Sequence, residues 1–352
     1  MLVDLIEHQI DRLIPLFDVA PQASVIQRAY RALGSASLAI DPGACAPEGS
    51  RINADGTPFQ FALHLNATDP PALRFLGEAS RPRCEPDERA TSGFACLEQL
   101  GDILGLSDQV ARVRPWLESW TRHRDSEPGA DMAGALWFAL AFVPGAAPAL
   151  TVYLNNAWGR PSERWRRLGA LTDRLGATVE VEDRVAPLTL APLGAAVVLR
   201  GDGRPSGRAY FSGFGVGVER YRKTLSHGTH GRRAGEAFDA FVHHLMGDDA
   251  CYPTRSSIYS HELSATLPDA VKIELCAHCA FDDDRQAAAR VSAWLRASRM
   301  GPEVYHSTLD ALLGGRTLSA TGRPTVHSFV GVGVRRGEPY ASIYLNPGPV
   351  VR

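Results

Sequence analysis

Several stretches of this chain alternate apolar and polar residues with a period of two, and their polar positions carry groups able to do chemistry. In "ALTVYLN", from Ala149, Thr151 and Tyr153 share one face while Leu150, Val152 and Leu154 share the other. In "SGRAYF", from Ser206, one face carries Arg208 and Tyr210. In "VKIELCAH", from Val271, Lys272, Glu274, Cys276 and His278 alternate with Val271, Ile273, Leu275 and Ala277. In "SIYLN", from Ser342, Tyr344 shares a face with Ser342. Guanidinium and ammonium groups bind anions, and phenols donate hydrogen bonds and offer ring faces to cations. These polar faces either line a solvent-filled interior or form the solvent side of an open sheet, and period alone does not choose between them.

Other motifs carry less. "CAHC", from Cys276, has metal-ligand residue types, but on a strand Cys276 and His278 share a face while Cys279 points away, which is poor zinc geometry. "FDDD", from Phe281, precedes a helical pattern, where the N-cap and helix dipole account for the acids. "GFGVGVER" has alternating glycines without a strand–GxGxxG–helix setting, so no nucleotide fingerprint is read there. His243 and His244 fall in a helical pattern with Phe238, Phe241 and Leu245, one packing and one solvated. No Gly-x-Ser-x-Gly elbow is present, and Trp116, Trp120 and Trp165 read as helix-to-sheet packing.

The chain has 352 residues, 45% hydrophobic and 22% charged, which is ordinary for a soluble globular protein. A net charge of −2 argues against a nucleic-acid partner. The six cysteines show no secreted disulfide framework and read as free thiols in a reducing, cytoplasmic compartment. The first residues, "MLVDLIEHQIDRLIPLF", carry acids throughout and read as an amphipathic helix, not a signal peptide. No apolar run reaches the roughly 18 residues that span a bilayer, so no membrane partner is expected.

Strand signals come in pairs followed by helical patterns, about five times over, at roughly 60-residue spacing, which is an internal repeat of architecture. The pairs begin at Pro58 and Ala72, at Gly134, at Gly194, at Ala270 and at His327; the Ala270 pair shows one clear strand and a less certain partner. About ten antiparallel strands tend to curl or close. One domain over 1–352 is expected, with 1–50 as an N-terminal helical segment.

These units together resemble the ABBA barrel of soluble aromatic prenyltransferases, in particular the dimethylallyl-tryptophan synthase (indole prenyltransferase) branch. The resemblance rests on "DGTPFQFALHLN" with "ALRF", on "ALTVYLN", on "SGRAYFSGF", and on "HSFVGVGVRRGEPYASIYLNP" as the closing hairpin. It implies an α+β fold: about ten antiparallel strands in a closed barrel ringed by helices. It also implies transfer of a dimethylallyl or longer prenyl group from a prenyl diphosphate to tryptophan, an indole or a related small aromatic, by way of an allylic carbocation.

In such a barrel Arg74, Arg208 and Lys272, with the hydroxyls of Tyr153, Tyr210 and Tyr344, would hold the diphosphate, and no metal would be needed. The same tyrosines, with Trp137, Phe329 and Thr151, would surround the cation and substrate. Gln60 would orient the acceptor, with His64 on its face as a candidate base. The sequence departs from the family pattern at these points: Gln60 stands for a glutamate, Thr151 and Arg208 for two lysines, and Phe329 for a tyrosine. A glutamine can accept an N–H hydrogen bond but is no general base at neutral pH. The alternatives are a non-indole acceptor (tyrosine, a phenol or a cyclic dipeptide) and a non-catalytic barrel that binds an isoprenoid or aromatic. The oligomeric state is left between monomer and homodimer.

Overall fold

The computed structural model describes residues 1–34, 37–38, 50, 52–53, 56–81, 84–122, 129, 133–177, 190–201, 203–213, 216–226, 231–247, 257–263 and 270–347. Phe59–Leu65 (β1), Leu73–Glu78 (β2), Leu136–Phe142 (β3), Ala149–Asn155 (β4), Ala191–Arg200 (β5), Ser206–Gly213 (β6), Ser257–Leu263 (β7), Ala270–Cys276 (β8), His327–Arg335 (β9) and Glu338–Leu345 (β10) form one closed antiparallel barrel. Each strand pairs with its chain neighbours, and β1 closes the ring on β10, with Phe61 opposite Leu345 and Leu65 opposite Ala341. The β9–β10 hairpin turns through Arg336 and Gly337, both at positive φ (52° and 80°), the I′ geometry that matches strand twist.

Closure decides the question the period leaves open. The apolar set faces outward: Leu150, Val152, Leu199, Ile273, Val330 and Ile343 are at most 2% exposed. Helices cover them with their own apolar stripes. Leu2–Leu16 buries Ile6, Ile10 and Leu13, and Ala23–Gly34 buries Ile26, Tyr30 and Leu33, at the spacing of one helical face. The Tyr30 ring meets Phe59 edge-on at 5.8 Å, and Phe75 stacks between Phe59 and Phe142 at 5.6 and 5.9 Å. The helical run after β2 divides into Pro86–Leu104 and Ser107–Thr121 at Gly105, whose φ of 69° is a left-handed helix stop. Trp120 donates to the Asn155 carbonyl at 2.9 Å, Trp165 packs on Phe211 at 5.8 Å, and Trp116 is partly buried against the same core. His243 is exposed and His244 half-buried, their rings 5.0 Å apart.

Three local expectations are corrected. The partner of β8 is β7, "SIYSHEL", which precedes it. The strand ends at Cys276, and Ala277–Ala280 is a helical turn, so His278 is on no strand face. Among the described residues no group of three or more His, Cys, Asp or Glu could hold a metal ion. The alternating glycines do join a strand to a helix, β6 to Val218–Ser226, although Phe214 and Gly215 lie outside the described residues.

The acids before Asp284–Ala297 do more than cap. The Asp283 carboxylate accepts from the Gln286 amide at 2.8 Å, as an N-cap does. Asp284 is fully buried and accepts from the Thr325 amide at 2.9 Å, the Thr325 hydroxyl at 3.0 Å, the His327 amide at 3.1 Å and His327 Nδ1 at 2.9 Å. The other His327 nitrogen meets the Tyr305 hydroxyl at 2.7 Å. Burial works against the Asp284 charge, but the bonds from His327 and Thr325 outweigh it and hold the carboxyl below its ordinary value. This network pins the entry of β9 to the helix layer.

Candidate active site

With the apolar residues outside, the alternate positions point into the barrel, where they divide into two chambers. The larger is a cavity of about 340 Å³ whose wall includes Gln60, Trp137, Tyr153, Tyr210, Phe329 and Tyr344. The smaller, about 70 Å³, has His64, Arg74, Thr151, Arg208, Glu262 and Arg335 in its wall and shares Tyr153 and Tyr210 with the first. These two tyrosines, whose rings lie 5.7 Å apart, therefore stand between an aromatic space and a cationic one.

Register explains the grouping. Ala62 on β1 sits opposite Arg74 on β2 and Tyr344 on β10, so a small residue leaves room for two large ones. Ala196 on β5 likewise lies between Tyr153 on β4 and Arg208 on β6. Trp137 is opposite Tyr153, and Phe329 is opposite both Tyr344 and Cys276. Gly331 and Gly333 leave the middle of the inner face of β9, between Phe329 and Arg335, without side chains, and a Cβ at Gly333 would enter the Tyr340 ring.

The basic chamber is electrostatically primed for an anion. Arg74 and Arg208 point into it from β2 and β6. Burial lowers Arg74 from its ordinary value, while at Arg208 burial is outweighed by Tyr340, Tyr210, Tyr153 and Glu262, which raise it; both guanidiniums stay charged. Burial first, and then Arg74, Lys272 and Arg335, hold His64 well below its usual range, so the imidazole is neutral at pH 7. Burial also raises Tyr153, Tyr210 and Tyr344, which keeps their phenols protonated and able to donate. Buried polar atoms on the inner wall without a hydrogen-bond partner among the described residues include Ser260 Oγ, Ser342 Oγ, Tyr340 Oη and Glu262 Oε2. Such atoms are costly unless a ligand or water satisfies them.

Lys272 lies inside, 1% exposed, and its Nζ donates to Glu274 at 2.5 Å and to the Tyr344 hydroxyl at 2.8 Å. Burial, opposed by Glu274 and reinforced by Arg208, brings the ammonium down to about 8. Gln60 is anchored by its amide nitrogen, which donates to Ser328 Oγ at 2.8 Å, to the Ile52 carbonyl at 3.2 Å and to Asn53 Oδ1. The Ile52 carbonyl can only accept, which fixes the amide's orientation.

All the site residues read from the sequence are thus on the inner wall, but not in one place. Gln60, Trp137, Phe329 and Tyr344 line the aromatic chamber; His64, Arg74, Thr151 and Arg208 line the basic one; Tyr153 and Tyr210 line both. His64 is separated from Gln60 by this division, and Lys272 is tied to a carboxylate. The sequence reading did not single out Glu274, Glu262, Arg335 or Tyr340. Glu274 and Tyr340 could have been found, since each lies on a face already chosen, two residues from Lys272 and from Ser342.

No protein-family model matches the chain, and no curated protein sequence matches it. Solved structures do. It resembles 5-dimethylallyltryptophan synthase from Streptomyces coelicolor with a TM-score of 0.81 at 22% identity, over 100% of this chain and 99% of that one. It resembles the prenyltransferase PriB, in a ternary complex with L-tryptophan and dimethylallyl thiolodiphosphate, with a TM-score of 0.81 at 19% identity, over 99% of this chain and 96% of that one. For 6-dimethylallyltryptophan synthase from Micromonospora olivasterospora, in complex with DMASPP and Trp, the TM-score is 0.81 at 18% identity, over 99% and 97% of the two chains. The closed barrel, its ring of helices and these full-length superpositions establish that this chain has the ABBA barrel fold of the aromatic prenyltransferases.

Proposed function

We propose that this protein is an aromatic prenyltransferase that moves a dimethylallyl group from its diphosphate to tryptophan or a related indole. One observation carries the reading: a cationic chamber and an aromatic chamber meet at Tyr153 and Tyr210 inside a closed barrel. The diphosphate sits against Arg74 and Arg208, with the Tyr153 and Tyr210 hydroxyls and neutral His64 as donors. As the allylic C–O bond ionises, its electron pair leaves on an anion already surrounded by preorganised positive charge. The cation faces the rings of Tyr153, Tyr210 and Tyr344, which stabilise it and keep water away. The acceptor occupies the larger chamber beside Trp137 and Phe329, and the Gln60 oxygen accepts its N–H. Guanidiniums and phenols take the place of a divalent cation, so the reaction proceeds in EDTA.

Solved structures of the same fold with tryptophan and a dimethylallyl diphosphate analogue bound support both substrate classes. Because Gln60 is a neutral amide, the acceptor panel extends to tyrosine, phenols and cyclic dipeptides. The test is mass spectrometry of reactions pairing several prenyl diphosphates with these aromatics, with and without EDTA. Prenylated indole in both conditions is expected. Binding of dimethylallyl diphosphate with no product from any acceptor would replace this reading with a non-catalytic isoprenoid-binding barrel.

A further inference from the structure

We propose that Glu274 is the base that removes the ring proton from the aromatic acceptor. The proposal rests on the prenyltransferase reading and identifies the group that completes its chemistry. Electrophilic substitution on an aromatic ring leaves a proton on the carbon that has bonded the new group, and a base in the acceptor chamber must take it. Gln60 has no basicity to offer. The phenols of Tyr153, Tyr210 and Tyr344 are protonated, and His64 belongs to the other chamber. Glu78, near Trp137, has its carboxylate oxygens engaged by Ser50 at 2.9 Å and Ser80 at 2.8 Å. Glu274 is the one carboxylate in the described wall of the aromatic chamber.

Its surroundings are built for it. Glu274 lies opposite Ile258 on β7 and Gly331 on β9, neither of which has a polar side chain to compete for it. A Cβ at Gly331 would come within 2.8 Å of Glu274 Cγ, so the glycine makes the space that this side chain uses. One carboxylate oxygen is held by Lys272 at 2.5 Å, which fixes the group's direction.

The step balances. The allylic C–O bond breaks with its electron pair on the diphosphate, and a ring carbon bonds the allylic carbon. The ring C–H bond then breaks; its electron pair restores aromaticity and its proton goes to the Glu274 carboxylate. Neutralising Glu274 releases Lys272 from its ion pair, and that positive charge then serves the departed diphosphate together with Arg74 and Arg208. Proton removal and leaving-group stabilisation are coupled through a single contact.

The experiment compares wild type, Glu274→Gln and Glu274→Asp with dimethylallyl diphosphate and L-tryptophan whose indole ring is protiated or fully deuterated. Binding of dimethylallyl thiolodiphosphate is measured on each protein. Glu274→Gln is expected to bind the analogue like wild type, to lose about 100-fold in kcat with KM for the diphosphate within about threefold, and to show a primary deuterium isotope effect absent from wild type. Glu274→Asp keeps the countercharge for Lys272; it is expected to slow less and to show the same isotope effect, and it decides the matter if Glu274→Gln no longer binds the analogue. Turnover of the variants within threefold of wild type, or a slower rate with no isotope effect, overturns the proposal while leaving the prenyltransferase reading intact. If wild type prenylates no acceptor, that reading fails and this inference falls with it.

Discussion

Two buried polar groups in this molecule look alike on paper and differ in kind. On the outer wall, Asp284, His327 and Tyr305 form a carboxylate–imidazole–hydroxyl chain of the sort seen in catalytic sites. On the inner wall, Glu274, Lys272 and Tyr344 form a carboxylate–ammonium–phenol chain of similar length. The outer chain is saturated, because Asp284 accepts from three backbone amides (Thr325, Val326 and His327), a hydroxyl and an imidazole, and it borders neither chamber. The inner chain adjoins an aromatic cavity of about 340 Å³ and a wall with several unpartnered polar atoms. Residue types therefore do not separate structure from chemistry here. Unused hydrogen-bonding capacity beside an open space does.

Substitutions can break this contrast. Asp284→Ala strips a buried acceptor from four donors and an imidazole, and a loss of about 3–5 kcal/mol in denaturant unfolding is expected, with product formed per folded molecule unchanged. Arg74→Ala should do the reverse: kcat/KM for dimethylallyl diphosphate falls about 10²–10³-fold while the melting temperature holds or rises, since burial disfavours the charge that is removed. If the Arg74 variant melts early, or the Asp284 variant stays folded but inactive, the two walls have been assigned the wrong way round.

A pH profile sharpens the comparison further. Lys272 is brought to about 8 from the ordinary 10.5, mainly by burial. Between those values the unfolded chain binds the proton and the folded chain does not, so stability rises with pH across the window, by up to about 3 kcal/mol. Lys272→Met should flatten that rise in thermal unfolding measured from pH 7 to 10.5. The smallest effect is expected from Thr151→Lys, which adds a cation to a stretch of basic-chamber wall otherwise made of Ala141, Ala149, Ala196 and Val198. KM for the diphosphate should fall by about threefold to tenfold, roughly 1 kcal/mol, in steady-state assays.

The barrel was legible in the sequence because its outer positions are so consistently apolar. "ALTVYLN" and "SIYLN" state their faces outright, and the repeat of hairpin and helix implies closure. The strand "SIYSHEL" was not legible: Tyr259 and His261 lie on its outer face and Ser260 and Glu262 on its inner face, so hydrophobicity does not alternate. The site was legible as a set of residues but not as two chambers. That Gln60 bonds Ser328, or that His64 lies beside Tyr340 with the ring centroids 5.8 Å apart, depends on register between strands far apart in the chain. No local pattern encodes such a distance. Glu274 was visible as a polar position, and only its place opposite Gly331 shows why it matters.

The seam between β1 and β10 sets the order in which this molecule can be assembled. Ala62 acquires its second neighbour, Tyr344, only after almost every other strand has been made, so hairpins can form early while the lumen cannot exist until the final one docks. A chain halted before β10 would keep most of its sheet, expose two raw edges to its neighbours and lack Tyr344 altogether. Competence in this architecture arrives all at once and late, and a premature stop there is expected to yield aggregate instead of a weakened enzyme.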